Sequence, residues 1–299
     1  LSADRLWIVG AGRLGLALGL ALHRSGAVSS LAYAGRRPSA PPHPLFEGHP
    51  PAASYTPGLV APAGATGVLL AVPDGAVADA AAALARLPLD PAVPVLHASG
   101  ALSVAALAPL AERGHPVGGV HALAAVADPV AGAERLRGAA FGVEGEGDAR
   151  LLAERIVRGC GGRALHVASQ GKPLYHAAAV VAANYAVVLL AEAEALMARA
   201  GVPAAEARAA LCGLAAGAVE NVAARGPAAA LTGPVARGDA PTVALHLGRL
   251  SGAERALYSL LAGRALELAR AAGLPPEAAG RVEAALDQAY TGWTEPDRG

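Results

Sequence analysis

Residues 6–23 read LWIVGAGRLGLALGLALH, and few stretches leave a chain so little choice of fold. Leu6-Trp7-Ile8-Val9 is an apolar run of the length of a buried parallel strand. Gly10-Ala11-Gly12-Arg13-Leu14-Gly15 then fits G-x-G-x-x-G, and from Leu14 apolar residues continue at helical length to His23. The motif alone is weak in a chain with 37 glycines; a strand before it and a helix after it make it specific. Gly10 permits the tight turn, Gly12 lets a pyrophosphate approach the backbone, and Gly15 lets the helix pack close to the strand. The unpaired N–H groups and positive dipole end of that helix would hold the phosphates. A secretory leader over Leu14–Leu22 and an ordinary glycine turn are the plain alternatives. A leader wants basic residues ahead of its apolar run. Here a strand precedes the run and Arg13 lies within the motif, so the stretch reads as a dinucleotide site.

A chain of 299 residues suggests two domains. With 24 basic and 24 acidic residues it shows no charge excess, so neither a nucleic-acid surface nor an acidic partner is expected. The hydrophobic share is 54%, mostly alanine. Its longest apolar run, 177–191, is interrupted by Asn184 and Tyr185 and falls short of the ~20 residues that span a bilayer. No membrane association is expected. Cys160 and Cys212 have no motif spacing, which suits reduced thiols in a cytoplasmic protein. Of the 24 basic residues, 23 are arginine; Lys172 is the only lysine. A lysine that persists against that bias is expected to do something arginine cannot.

Residues 30–34 read as the second strand. An NAD site would place an acidic residue near its end; this chain has Gly35-Arg36-Arg37. Two guanidiniums suit a 2′-phosphate by charge and fork geometry, so the expected cofactor is NADP(H). A solvated loop with two arginines is the alternative. Residues 38–65 are proline-rich and read as an irregular surface connection. Strands are expected at 67–72, 94–97, 117–121, 139–143 and 163–167, with helices between, as in a doubly wound sheet. From Pro173 onward no strand is expected. Helices over 173–200, 203–224, 242–250, 253–272 and 275–290 make an all-helical second domain, stopped by Gly201, Gly226 and Gly273. The domains are expected at 1–168 and 169–299.

Open α/β sheets bind ligands beyond the carboxyl ends of their strands. Position therefore nominates Val72, Pro73 and Asp74, His97, Ser99 and Gly100, and His121. Asp74 and Ser99 have a simpler reading as helix or turn caps. The histidines lack carboxylates or cysteines at ligand spacing, so no metal is expected. Lys172 opens the long helix, with His176 one turn on and Asn184 two turns beyond that. Buried without partners such a stripe would be costly; it suits a cleft between the two domains, facing a small substrate. A cation is unwelcome at a helix N-terminus, which weakens the reading of Lys172 as a surface residue. Thr232, Arg237 and Asp239 form a second polar island. They could meet a substrate carboxylate or hydroxyl, or Asp239 could simply cap a helix.

The order of Rossmann domain, lysine-opened helix and helical domain resembles the 6-phosphogluconate-dehydrogenase-like superfamily, with its β-hydroxyacid dehydrogenases, ketopantoate reductase and pyrroline-5-carboxylate reductase. More closely, Ala71-Val72-Pro73-Asp74, His97-Ala98-Ser99-Gly100-Ala101-Leu102, Lys172-x-x-Tyr175-His176, Asn184-Tyr185 and Leu231-Thr232-Gly233-Pro234-x-x-Arg237-Gly238-Asp239 are similar to a bacterial Rossmann-like family whose C-terminal domain has no assigned function. The resemblance implies an oxidoreductase in which Lys172 donates the proton. It places His176 where characterised relatives keep an asparagine, and points to a homodimer through the helical half. The close family carries His-Pro-Leu-Gln where this chain has His121-Ala122-Leu123-Ala124. The expected activity is NADP(H)-dependent reduction of a small carbonyl compound such as a 2-keto acid. Reduction of an imine of the pyrroline-5-carboxylate type, or cofactor binding by a sensor or scaffold without turnover, are the alternatives.

Overall fold

The computed structural model describes residues 5–290. The chain forms two compact units, Leu1–Tyr185 and Ala186–Gly299. The first is built on an eight-stranded sheet: β1 (Arg5–Val9), β2 (Ser30–Gly35), β3 (Ala53–Pro57), β4 (Gly67–Leu70), β5 (Val95–His97), β6 (Val117–Ala122), β7 (Ala140–Gly145) and β8 (Arg163–His166). The strand order is β3-β2-β1-β4-β5-β6-β7-β8, parallel except for the β6–β7 pair. The order reverses direction between β1 and β4, the switch point where doubly wound sheets bind nucleotides.

Side chains alternate across the sheet with a period of two. Leu6 and Ile8 enter one core with Leu16, Leu20, Leu96, Val120, Phe141 and Val143; Trp7 and Val9 enter the other with Val68, Leu70, Val77, Leu84 and Val95. The same alternation puts His97 of β5, Gly119 and His121 of β6, and Gly142 and Glu144 of β7 on the face opposite Leu96, Val120, Phe141 and Val143. Two of these residues are glycines for a visible reason. A Cβ on Gly142 would lie 2.5 Å from Tyr175 Oη, and one on Gly119 would lie 3.1 Å from the His97 ring. Gly142 thus leaves room for Tyr175 of the helix that begins at Lys172, and Gly119 for His97.

One expectation about the sheet is corrected. Residues 38–65 hold a short helix, Pro44–Glu47, and strand β3, which pairs in parallel with β2 from Leu31–Ala53 to Gly35–Pro57. The strand is short, half exposed and ends in proline, which an edge strand tolerates. Its alternation was too weak to read. His43 caps the short helix and is buried.

The long helix is Lys172–Ala179, a π turn at Val180–Asn184, and Tyr185–Arg199. Its first part packs with the sheet unit, although the sequence assigned everything after 168 to the helical half. The helical stretch Ser169–Arg199 spans 31 residues and is long and apolar enough to cross a membrane by length and composition, with its most apolar window unburied. The sequence reading measured only the uninterrupted apolar run; the helix continues through Asn184 and past Glu192. The second unit contains helices Ala204–Arg225, Pro227–Ala230, Ala240–Leu247, Gly252–Ala271 and Pro276–Tyr290. Its core joins Val235, Val243, Leu247, Ala262, Leu266, Val282 and Leu286.

Candidate active site

The glycine motif folds as its spacing demands. Gly10 has φ +117°, donates to the Ala34 carbonyl at 2.9 Å, and has no room for a Cβ beside the Ala71 carbonyl. A Cβ on Gly15 would strike the Gly10 carbonyl, whereas nothing lies within 4 Å of where a Gly12 Cβ would stand. Two glycines therefore serve packing, and the third leaves its backbone open. Gly12 is the N-cap of helix Arg13–Arg24; no side chain caps it and no acidic residue occupies the first turn. Ala11 and Leu14 pack against the core while Arg13 is exposed. Those N–H groups and the positive helix end suit a phosphate. Arg36 and Arg37 are exposed immediately after β2, the strand next to β1. Tyr55 Oη donates to the Arg37 carbonyl at 2.9 Å and pins that turn. These residues fit a phosphorylated dinucleotide.

Val72, Pro73 and Asp74 follow β4, with Asp74 exposed. The capping role considered for Asp74 is not observed: Pro73 is the N-cap residue of the turn Asp74–Ala76 and makes no side-chain bond, and helix Val77–Leu84 begins from Ala76, also without a side-chain cap. Ser99 does cap; its Oγ accepts from the N–H groups of Ala101 and Leu102 at 3.2 and 3.0 Å.

The ends of β5, β6 and β7 converge on a buried polar cluster. Lys172 is 1% exposed and donates to the Ser99 carbonyl at 3.0 Å. Its Nζ stands 3.9 Å from Glu144 Oε2 and 5.9 Å from the Tyr175 ring centre. The ammonium expected at a cleft thus lies buried against the Ser99 carbonyl and Glu144 at the strand ends. Burial lowers the Lys172 pKa, with Glu144 and Asp74 pulling the other way. Glu144 Oε1 accepts from Ser169 Oγ at 2.6 Å and from Val104 N–H at 3.1 Å, while Oε2 has no hydrogen-bond partner. His97 is fully buried with neither ring nitrogen bonded. Burial and the Lys172 charge lower its pKa to about 4.

His121 stands half-buried beside these. Its Nδ1 lies 3.0 Å from Tyr175 Oη, which accepts from the Gly142 N–H at 3.1 Å. The His121 ring meets the His176 ring edge-on at 5.7 Å. Burial, then Lys172 and His176, lower the His121 pKa to about 4. Both imidazoles close on Gly100: a Cβ there would lie 2.5 Å from His176 Nδ1 and 2.9 Å from His121 Nε2. His176 Nδ1 is buried without a hydrogen-bond partner.

The structure thus brings Ser99, Gly100, His121, Lys172 and His176 together. It adds Glu144, Tyr175 and Ser169, which sequence reasoning did not assign. Glu144 had a signal, a carboxylate at an inward position of an otherwise apolar strand. Asn184 is exposed at the end of the π turn. On a regular helix, at about 100° per residue, it would sit about 80° round from His176; the π turn takes up one residue and brings it within about 20°. In the second unit Thr232 and Arg237 are exposed. Asp239 caps helix Ala240–Leu247, accepting from Thr242 N–H at 3.1 Å and Thr242 Oγ1 at 2.7 Å. Among the described residues no cluster of three or more potential metal ligands occurs.

Residues 2–122 match the Rossmann-like domain, and residues 139–265 match a domain of unknown function, DUF2520. No curated protein sequence matches. Among solved structures, protein TM1727 from Thermotoga maritima superposes with a TM-score of 0.69 at 20% identity, over 89% of this chain and 98% of its own. BF3122 from Bacteroides fragilis, provisionally assigned as an NADP oxidoreductase, gives 0.68 at 20% identity over the same shares. Pyrroline carboxylate reductase from Plasmodium falciparum, solved with NADP bound, gives 0.58 at 13% identity over 97% of this chain and 98% of its own. At such identities the likeness is one of fold. The chain belongs with the proteins in which a Rossmann-like domain is followed by a DUF2520 domain.

Proposed function

We propose that this chain is an NADP(H)-dependent reductase of a small carbonyl compound. The observation that carries the reading is the uncapped first turn at Arg13 over the open Gly12 backbone, with Arg36 and Arg37 one strand away. The P. falciparum relative, solved with NADP, supports the same cofactor. Bound NADPH would supply a hydride to the substrate carbon. The protein's part is to hold the substrate near Ser99 and Gly100 and to manage the proton.

Lys172 is the proton donor in this reading. Burial makes its ammonium more acidic than a surface lysine, which suits general acid catalysis. A second reading draws support from its contacts: tied to Ser99 and facing Glu144, the ammonium stays in place, fixes the turn after β5 and contributes only its field. Arginine keeps a charge and cannot give up a proton. Turnover lowered ~10²–10⁴-fold in Lys172→Arg, with NADPH affinity kept, supports the donor; turnover within a few-fold of the parent supports the clamp.

Oxidation of NADPH over a panel of 2-keto acids, simple ketones and cyclic imines tests the function itself. Turnover on keto compounds is the expected result, and turnover confined to imines would move the substrate class. Tight NADPH binding with no turnover on any member would make the protein a sensor.

A further inference from the structure

We propose that His121 is a substrate-contacting hydrogen-bond donor, its neutral Nε2–H held toward the carbonyl oxygen of the substrate by Tyr175. The inference rests on the reductase reading and names one of its working groups.

Tyr175 Oη has one proton to give. It accepts from the Gly142 N–H at 3.1 Å, and two acceptors lie in reach: His121 Nδ1 at 3.0 Å and the His121 carbonyl at 3.4 Å. The longer contact is at the limit of a hydrogen bond, so we assign the phenol proton to the shorter one, at Nδ1. Nδ1 is then an acceptor and the ring's own proton sits on Nε2. Tyr175 is itself anchored by the sheet, because Gly142 has no side chain to displace its ring.

The second step is where Nε2 lies. It rests over the Gly100 backbone beside His176 Nδ1, at the carboxyl ends of β5 and β6, where open sheets take their ligands. His176 Nδ1 is buried and has no partner in the protein. A buried nitrogen left unsatisfied is unfavourable, a cost that a ligand's polar group can remove. A donor and an unpartnered nitrogen thus flank one point. The charged and titratable groups facing His121 are Lys172, His176, Asp74 and His97, with Tyr175 bonded to it; burial and the two neighbours Lys172 and His176 keep the ring neutral at pH 7.

The third step is what such a pair selects. A neutral N–H beside a buried ammonium stabilises an oxygen that gains negative charge. It offers nothing to a protonated imine, which has no lone pair to accept. The His121 N–H and the ammonium therefore favour a carbonyl oxygen.

Nitrogen-15 NMR of the imidazoles tests the tautomer without any substrate. His121 should be neutral from pH 6 to 8 with its proton on Nε2, and Tyr175→Phe should introduce the other tautomer. A parent protein with the His121 proton on Nδ1 overturns the proposal. With a turned-over carbonyl substrate, His121→Leu should lower kcat ~10²–10³-fold, the scale for one lost oxyanion donor. His121→Gln, which retains an N–H at similar reach, should recover most of it. NADPH affinity should be unchanged in both. Equal loss in the glutamine and leucine variants, with both folded, also overturns it. A parent that binds NADPH and turns nothing over removes the reductase reading, while the NMR result still decides the tautomer.

Discussion

Lys172 and Glu144 face each other inside the first unit at 1% and 3% side-chain exposure. Removing one partner of such a pair leaves the other charge buried and alone, at a cost of about 3–5 kcal/mol. Lys172→Ala should therefore be strongly destabilised, whereas Lys172→Met combined with Glu144→Gln should recover much of the loss; thermal unfolding of the two variants measures this. Equal destabilisation would mean the pair contributes no coupling. The neighbouring histidines set a pH dependence. His97 and His121 titrate near 4 when folded against an ordinary 6.5, so between those values the unfolded chain binds more protons. The contribution of these two histidines to stability should fall as the pH drops from about 6.5 toward 4 and level off below that. His97→Phe should flatten part of the slope in a pH series of melting curves; an unchanged slope would mean His97 takes no part in it.

At the scale of elements, the first strand, turn and helix are bounded by residues with no alternative use. Gly10→Ala should destabilise the fold, because the new Cβ meets the Ala71 carbonyl at a φ that L-residues avoid. Gly12→Val should spare stability and weaken NADPH binding, since its Cβ enters open space at the helix start. Denaturation and NADPH titration of the two proteins separate the effects; equal loss of stability in both would contradict the assignment. Arg36→Ala with Arg37→Ala should erase most of the preference for NADPH over NADH, which competitive titration reads directly. These elements were legible because strand period, glycine spacing and the missing acid after β2 are local signals. Strand β3 was not legible, since an edge strand with one covered face carries little alternation and its prolines imitate a loop. The Lys172 cluster was half legible. The lone lysine and His176 stood out, but Glu144 and Tyr175 matter only once β7 and the long helix meet across residues far apart in sequence. Nothing local distinguished a lysine pointing outward from one buried against Ser99 and Glu144.

At the scale of the whole molecule, the long helices expose more apolar surface than a lone chain keeps in water. Leu174, Val181, Val187, Leu214 and Val219 are 60–79% exposed, and helix Ala204–Arg225 buries only Ala207. We propose that a second copy covers these faces. A bilayer would have to take up Asn184 and Glu192, exposed along the same helix, together with the Glu194–Arg208 pair at its far end. Sedimentation should give a species of twice the 29.4 kDa chain; a monomer stable at micromolar concentration would leave the exposed faces unexplained. The proposed reduction requires hydride delivery to a carbonyl carbon beside Ser99, Gly100 and His121. NADPH carrying deuterium at its transferring carbon follows that step directly. A keto substrate should be reduced with the label on the new C–H bond. NADPH that binds at the Gly12 turn yet yields its label to no carbonyl compound would contradict it.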